Sequence, residues 1–207
     1  MKKVLITGGQ GGLAEAITQL LERQGGYQVY APGKDELDVT SLDMIAAVMK
    51  KFVPDILINN AGYVVPQSVK DADPAISKKH FDINLTGTFY CTELALKRNP
   101  DLMIVNIGSS AATKVHATWS EYCASKAAVV MATRCWAEDG LYTVCISPGR
   151  AATKMRRRLF PDEDQSTLLR PEDFAQVVWR AIQRQYPSGS HIQVNKQNVE
   201  ELIYGKN

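Results

Sequence analysis

Tyr122 and Lys126 are the residues of this 207-residue chain whose types and spacing best suit chemistry. They stand four apart in Tyr122-Cys123-Ala124-Ser125-Lys126, within a helical stretch from Glu121 to Glu138. At that spacing two side chains share one helix face, with Cβ atoms about 6 Å apart. A phenol with an ordinary pKa of about 10 is a poor acid–base group near neutrality. A neighbouring ammonium favours the phenolate and draws that pKa toward the working range. Ser109 follows the apolar run Ile104-Val105-Asn106-Ile107, and its hydroxyl could hold a substrate oxygen beside Tyr122. Taken alone, the pair reads better as a Tyr and a Lys on an exposed surface helix.

Two glycine-containing turns could hold a ligand near these groups. The first, Thr7-Gly8-Gly9-Gln10-Gly11-Gly12-Leu13-Ala14, follows the apolar run Val4-Leu5-Ile6 and opens a periodic segment. Glycines there let backbone approach a pyrophosphate, and the helix N-terminus behind them favours negative charge. The second is Asn59-Asn60-Ala61-Gly62, directly after Ile56-Leu57-Ile58. Ligands of open α/β sheets bind beyond such strand ends. Either turn alone could be a purely conformational feature.

Short apolar runs alternate with longer helical patterns along the whole chain. Strands are expected near 4–6, 27–31, 56–58, 102–107, 142–146 and 191–194. Helices are expected near 13–24, 42–51, 74–97, 121–138 and 171–185. This alternation predicts an α/β protein, a single doubly wound and mostly parallel sheet flanked by helices. No Pro-rich linker, repeat or low-complexity tract divides residues 1–207, so one Rossmann-like catalytic domain is expected.

Together these pieces resemble the short-chain dehydrogenase/reductase family over nearly the whole chain. The matching residues, in order, are Thr7-Gly8 through Gly12, Asp38, Asn59-Asn60-Ala61-Gly62, Asn84 in Asn84-Leu85-Thr86-Gly87, Ser109, Tyr122, Lys126, and Pro148-Gly149 with Thr153. The resemblance implies an NAD(P)(H)-dependent oxidoreductase that interconverts a carbonyl and a secondary alcohol, with no metal. Tyr122 would exchange the proton. Lys126 would bind the nicotinamide ribose and lower the Tyr122 pKa, Ser109 would position the carbonyl, and Asn84 would anchor a relay water. Gly8, Gly9, Gln10, Gly11, Gly12 and Leu13 would hold the pyrophosphate. Asp38 with Val39 would face the adenine, and Asn60, Ala61 and Gly62 the adenosine ribose. Pro148, Gly149 and Thr153 would meet the carboxamide or pyrophosphate. Two other classes fit the same fold: a non-catalytic NAD(P)-binding regulator, and a small sugar epimerase or dehydratase.

The chain is shorter than the roughly 250 residues usual for that family. It is shortened after the second strand, so a crossover helix is missing and a third strand must be brief, at about Glu36 to Asp38 near a sheet edge. In the turn after the second strand, Gly33 is followed by Lys34. A small residue and a cation suit a 2′-phosphate, which favours NADP over NAD, although Asp35 could serve NAD if the turn bends differently.

Between Arg150 and Arg158 lie five cations and no acid. The run Pro148-x-Arg150-x-x-Thr153-x-Met155-Arg156 is also similar to reductase domains joined to CDP-ribitol-forming cytidylyltransferases, which reduce a ketopentose phosphate. The substrate expected is a phosphorylated or otherwise anionic ketose or polyol, with Arg150 and Arg156 as its ligands. The competing readings are a solvated basic helix paired with Asp162, Glu163 and Asp164, or contacts to the cofactor's own 2′-phosphate.

Composition excludes several other classes. Apolar residues are 45% and charged residues 22%, the profile of a globular fold, and the formal charge of +2 gives no overall field for nucleic acid or membrane. No apolar run reaches membrane-spanning length and the start is too polar for a signal peptide, so a cytoplasmic protein is expected. Its four cysteines are then reduced thiols. Second apolar faces on the helices at 74–97 (Phe89, Leu94) and 121–138 (Val129, Val130, Ala132) point to a homodimer or homotetramer. A monomer that packs them internally is the alternative.

Overall fold

Unbroken apolar runs become strands buried on both faces, and amphipathic segments become the helices that cover them. The computed structural model describes residues 1–205. In chain order the elements are β1 (Lys2–Ile6), α1 (Gly12–Gln24), β2 (Tyr27–Tyr30), α2 (Leu42–Lys51), β3 (Ile56–Asn59), α3 (Pro74–Phe81) and α4 (Gly87–Leu96). There follow β4 (Met103–Ile107), α5 (Ser120–Glu138), β5 (Thr143–Pro148), α6 (Lys154–Leu159), α7 (Pro171–Ile182), β6 (His191–Val194) and α8 (Val199–Tyr204).

The six strands form one parallel sheet in the order β2-β1-β3-β4-β5-β6. Side chains alternate between its faces because the strand period is two. Val4, Ile6, Ile56, Ile58 and Val105 join Ile17 and Phe174 in the core under α1 and α7. Leu5, Leu57 and Ile104 face the other way, against Ile45 and Met49 of α2 and Cys91 of α4. From β1 the chain runs to β2 on one side and then returns to β3 on the other. That reversal opens a crevice at the carboxyl ends of β1 and β3, where both glycine-containing turns lie.

The expected third strand at 36–38 does not form. The N–H groups of Glu36 and Leu37 both return to the Gly33 carbonyl, which makes a turn. The Asp38 carboxylate then takes the Thr40 N–H at 2.9 Å and its hydroxyl at 2.7 Å. These local bonds compete with sheet pairing, as short polar side chains do. Leu37 and Val39 are nevertheless buried, and β2 is left as the sheet edge. The helix expected over 74–97 is continuous but widens to a π turn at Asp82–Thr86, which carries the buried Asn84. Such turns recur at functional sites.

Among the described residues no helix is long and apolar enough to cross a membrane. Val129, Val130 and Ala132 do not face outward as expected. They are buried within the chain, because α5 packs that face onto β4 and β5.

Candidate active site

The glycine turn depends on two backbone features. Gly8 adopts φ 67°, the left-handed region that favours glycine. Gly9 donates its N–H to the Pro32 carbonyl at 2.9 Å, and a Cβ there would come within 1.9 Å of the Ala31 oxygen. Gly9 therefore shapes the turn from behind rather than facing the ligand space. The second turn is stitched to the first through Thr7, whose hydroxyl accepts the N–H groups of Asn60 and Ala61 at 3.0 Å each. Asn60 returns its side-chain amide to the Thr7 and Gly8 carbonyls.

A cavity of about 1050 Å³ runs along these strand ends. Gly8, Gln10, Gly11, Gly12 and Leu13 line it, as do Lys34, Asp38 and Val39, and Asn60, Ala61 and Gly62. Ser109, Tyr122, Lys126, Pro148, Gly149, Arg150, Thr153 and Arg156 line it too. Of the residues expected in the site, Gly9 and Asn84 alone stand behind its wall. Gly11 is the N-cap of α1 and supplies no side-chain cap, so the first N–H groups of that helix remain available to an anion in the cavity. That donor set fits a pyrophosphate.

At the other end lies the catalytic group expected from sequence. The Ser109 hydroxyl lies close enough to the Tyr122 phenol to favour its ionised form. The Lys126 ammonium lies 5.9 Å from the Tyr122 ring centroid and donates to the Ile107 carbonyl at 2.9 Å. The expected lowering of the Tyr122 pKa by Lys126 is not what this geometry produces. Burial pushes the phenol upward, against the opposing effect of the nearby Ser109 hydroxyl. Burial also lowers Lys126 to about 8. Desolvation disfavours both charged forms.

Both side-chain polar atoms of Asn84 are held by protein. Its Oδ1 accepts the Tyr63 N–H at 2.7 Å, and its Nδ2 donates to the Tyr63 carbonyl at 2.9 Å and to the Ser125 hydroxyl at 3.2 Å. Its side chain thus clamps the chain after β3 to α5.

Lys34 reaches Asp38 at 3.6 Å and is otherwise exposed. Arg150 and Arg156 line the cavity, and each is ion-paired with Glu163, so one acid of the Asp162–Asp164 run does pair with them. Sequence reasoning missed the aromatic wall beside Tyr122. Trp119 meets the Tyr122 ring edge-on at 5.5 Å, with His116 at 5.4 Å and Phe160 stacked at 6.1 Å. The signal was available in part, since Trp119 precedes Tyr122 by three residues at the start of α5. Thr118, on the same wall, holds φ 65°, and its carbonyl accepts the Gln67 N–H at 2.8 Å.

A parallel sheet that reverses order beside β1, with a glycine turn leading into an uncapped helix, defines a Rossmann-type nucleotide-binding protein. The profile of the short chain dehydrogenase family matches residues 36–164, and the chain belongs to that family. It is therefore an NAD(P)-dependent dehydrogenase/reductase. It is 30% identical to 2,3-dihydro-2,3-dihydroxybenzoate dehydrogenase of Bacillus subtilis, over 79% of this chain and 75% of that protein. It is 34% identical to dTDP-4-dehydrorhamnose reductase of Aggregatibacter actinomycetemcomitans over 51% of this chain, but spans only 35% of that protein. Among solved structures, a short chain dehydrogenase/reductase family protein superposes with a TM-score of 0.81 at 27% identity, covering 93% of this chain and 95% of the other.

Proposed function

We propose that the protein interconverts a carbonyl and a secondary alcohol, with Tyr122 as proton donor and acceptor. The observation that carries this reading is the convergence of Ser109, Tyr122 and the buried Lys126 ammonium on one end of the cavity. Tyr122 carries its proton at neutral pH and would donate it to a carbonyl oxygen beside Ser109, with the Lys126 ammonium favouring the phenolate that forms. Lys126 faces the ribose of the bound cofactor and balances charge as the phenol gives up its proton. Asn84 keeps the Tyr63 backbone and α5 in register beneath them.

A nicotinamide dinucleotide supplies or accepts the hydride when bound. Gly8, Gln10, Gly11, Gly12 and Leu13 would hold its pyrophosphate and Asn60, Ala61 and Gly62 its adenosine ribose. Asp38 and Val39 would border the adenine, and Pro148, Gly149 and Thr153 the nicotinamide side. The Lys34 ammonium beside the end of β2 favours NADP. Arg150 and Arg156 favour an anionic ketose or polyol. We further propose a cytoplasmic homo-oligomer, supported by the only partly buried Phe89 and Leu94 of α4.

The test is oxidation of NADPH and of NADH in the presence of a panel of ketones and ketose phosphates. NADPH-dependent reduction of a ketose phosphate is expected. Tight NADPH binding without turnover of any carbonyl would contradict the assignment and favour a non-catalytic binder.

A further inference from the structure

Arg150 and Arg156 converge on a single carboxylate. Arg156 grips Glu163 through two parallel bonds, Nε to Oε2 at 2.6 Å and Nη2 to Oε1 at 2.7 Å, and Arg150 adds Nη1 to Oε1 at 3.2 Å. The Arg156 guanidinium also lies over the Phe160 ring, 3.9 Å from its centroid. Phe160 stacks on Trp119, and Trp119 meets Tyr122. One edge and one face of Arg156 are thereby fixed, in a chain of contacts that ends at the catalytic phenol. The Glu163 carboxyl is held below its ordinary range, first by the Arg156 hydrogen bonds and then by the charges of Arg156 and Arg150.

The arrangement does not exhaust either arginine. A guanidinium carries five N–H donors, of which Arg156 spends two on Glu163 and Arg150 one. Two cations on one carboxylate leave a positive charge uncompensated at the cavity wall. Arg158 lines the same wall and makes no ion pair among the described residues. An arginine free to rotate would lose side-chain entropy on gripping an anion. One already locked by a carboxylate and a ring loses less and presents its remaining fork in a fixed plane.

We propose that Glu163 is a positioning residue that fixes Arg156 and Arg150 as a two-guanidinium site for a phosphate group on the carbonyl substrate. This rests on the reading of Arg150 and Arg156 as substrate ligands given above, and it assigns their geometry to Glu163. Neutralising Glu163 frees both guanidiniums but disorders them, so phosphate affinity falls rather than rises.

The experiment is calorimetric titration of the full chain, saturated with NADP⁺, with xylulose 5-phosphate and with xylulose. Hydrogen bonds from charged donors contribute enough that the wild type should prefer the phosphate by about tenfold or more. Glu163→Gln should lose most of that preference, Arg156→Ala should lose it likewise, and Glu163→Asp should restore part of it. The NADPH-over-NADH affinity ratio should be the same in all four proteins. A wild type without preference, or a preference that survives Glu163→Gln, would overturn the proposal. A preference that grows in Glu163→Gln would overturn it too, by making Glu163 an internal competitor. A loss confined to NADPH affinity would hand the arginines to the cofactor's 2′-phosphate. If Glu163→Gln fails to fold by circular dichroism, Glu163→Asp and Arg156→Ala carry the same comparison. A phosphate preference in a protein that reduces no carbonyl would refute the Tyr122 chemistry while supporting the Glu163 site.

Discussion

The Lys126 ammonium lies 5.9 Å from the centre of the Tyr122 ring, tied to the Ile107 carbonyl rather than to the phenol oxygen. Both groups are desolvated, so each is pushed toward its neutral form. The ammonium stays close enough to stabilise a phenolate once the phenol gives up its proton.

A stability signature follows from Lys126. Its pKa falls from 10.5 to about 8 on folding, so the neutral amine is favoured in the folded chain. Its contribution is fully present above the unfolded value and is lost as pH falls from 10.5 to 8. The stability of the wild type relative to Lys126→Met should therefore rise by up to about 3 kcal/mol across that window. Urea melts of both proteins at intervals between pH 7 and 10.5 would show it, and a flat difference would contradict it.

His80 sets an acid-side limit. Its Nε2 accepts the Val65 N–H at 3.1 Å and its Nδ1 faces the Ile76 carbonyl at 3.0 Å, an arrangement that needs a neutral ring. Burial lowers its pKa, so stability present above the ordinary histidine range is lost as pH falls through and below 6.5. His80→Gln should flatten the loss of thermal stability between pH 7 and pH 5. An unchanged slope would assign that loss to other groups.

Gly9→Ala tests the turn. The added methyl would overlap the Ala31 carbonyl, whose strand end cannot yield without shifting β2. A loss of about 1–3 kcal/mol in urea unfolding is expected, with weaker NADPH binding. Stability equal to wild type would show that the turn relaxes freely.

Lys34→Asp should move cofactor preference from NADP toward NAD, since it replaces the exposed cation beside Asp38 with a second carboxylate. The ratio of NADPH to NADH dissociation constants measures this directly. An unchanged ratio would place the discrimination on Gln10 or elsewhere in the glycine turn.

Much of this site was legible in the sequence because its parts are local. The glycine turn, Asn60-Ala61-Gly62 and the Tyr122–Lys126 spacing each lie within a few residues, at strand ends or on one helix face. What escaped was set in part by local turn bonds and in part by contacts between distant segments. The family layout predicts a strand at 36–38, but a turn at Gly33 and the Asp38–Thr40 bonds decide otherwise. The apolar face of Val129 and Val130 suggested a partner, and the sheet of the same chain covers it. The balance between burial and charge at Tyr122 depends on depth, which spacing does not report. The Glu163 clamp joins two segments 13 residues apart through a carboxylate that a charge count treats as one of three equal acids.

The most direct measurement is the comparison of wild type and Tyr122→Phe in cofactor binding and in turnover of the reducible carbonyl found in the panel. Equal NADPH dissociation constants are expected, with a fall in kcat of about 10²–10⁴-fold, the scale of general acid catalysis. A Tyr122→Phe enzyme that keeps near-wild-type kcat would contradict the role of Tyr122 as proton donor.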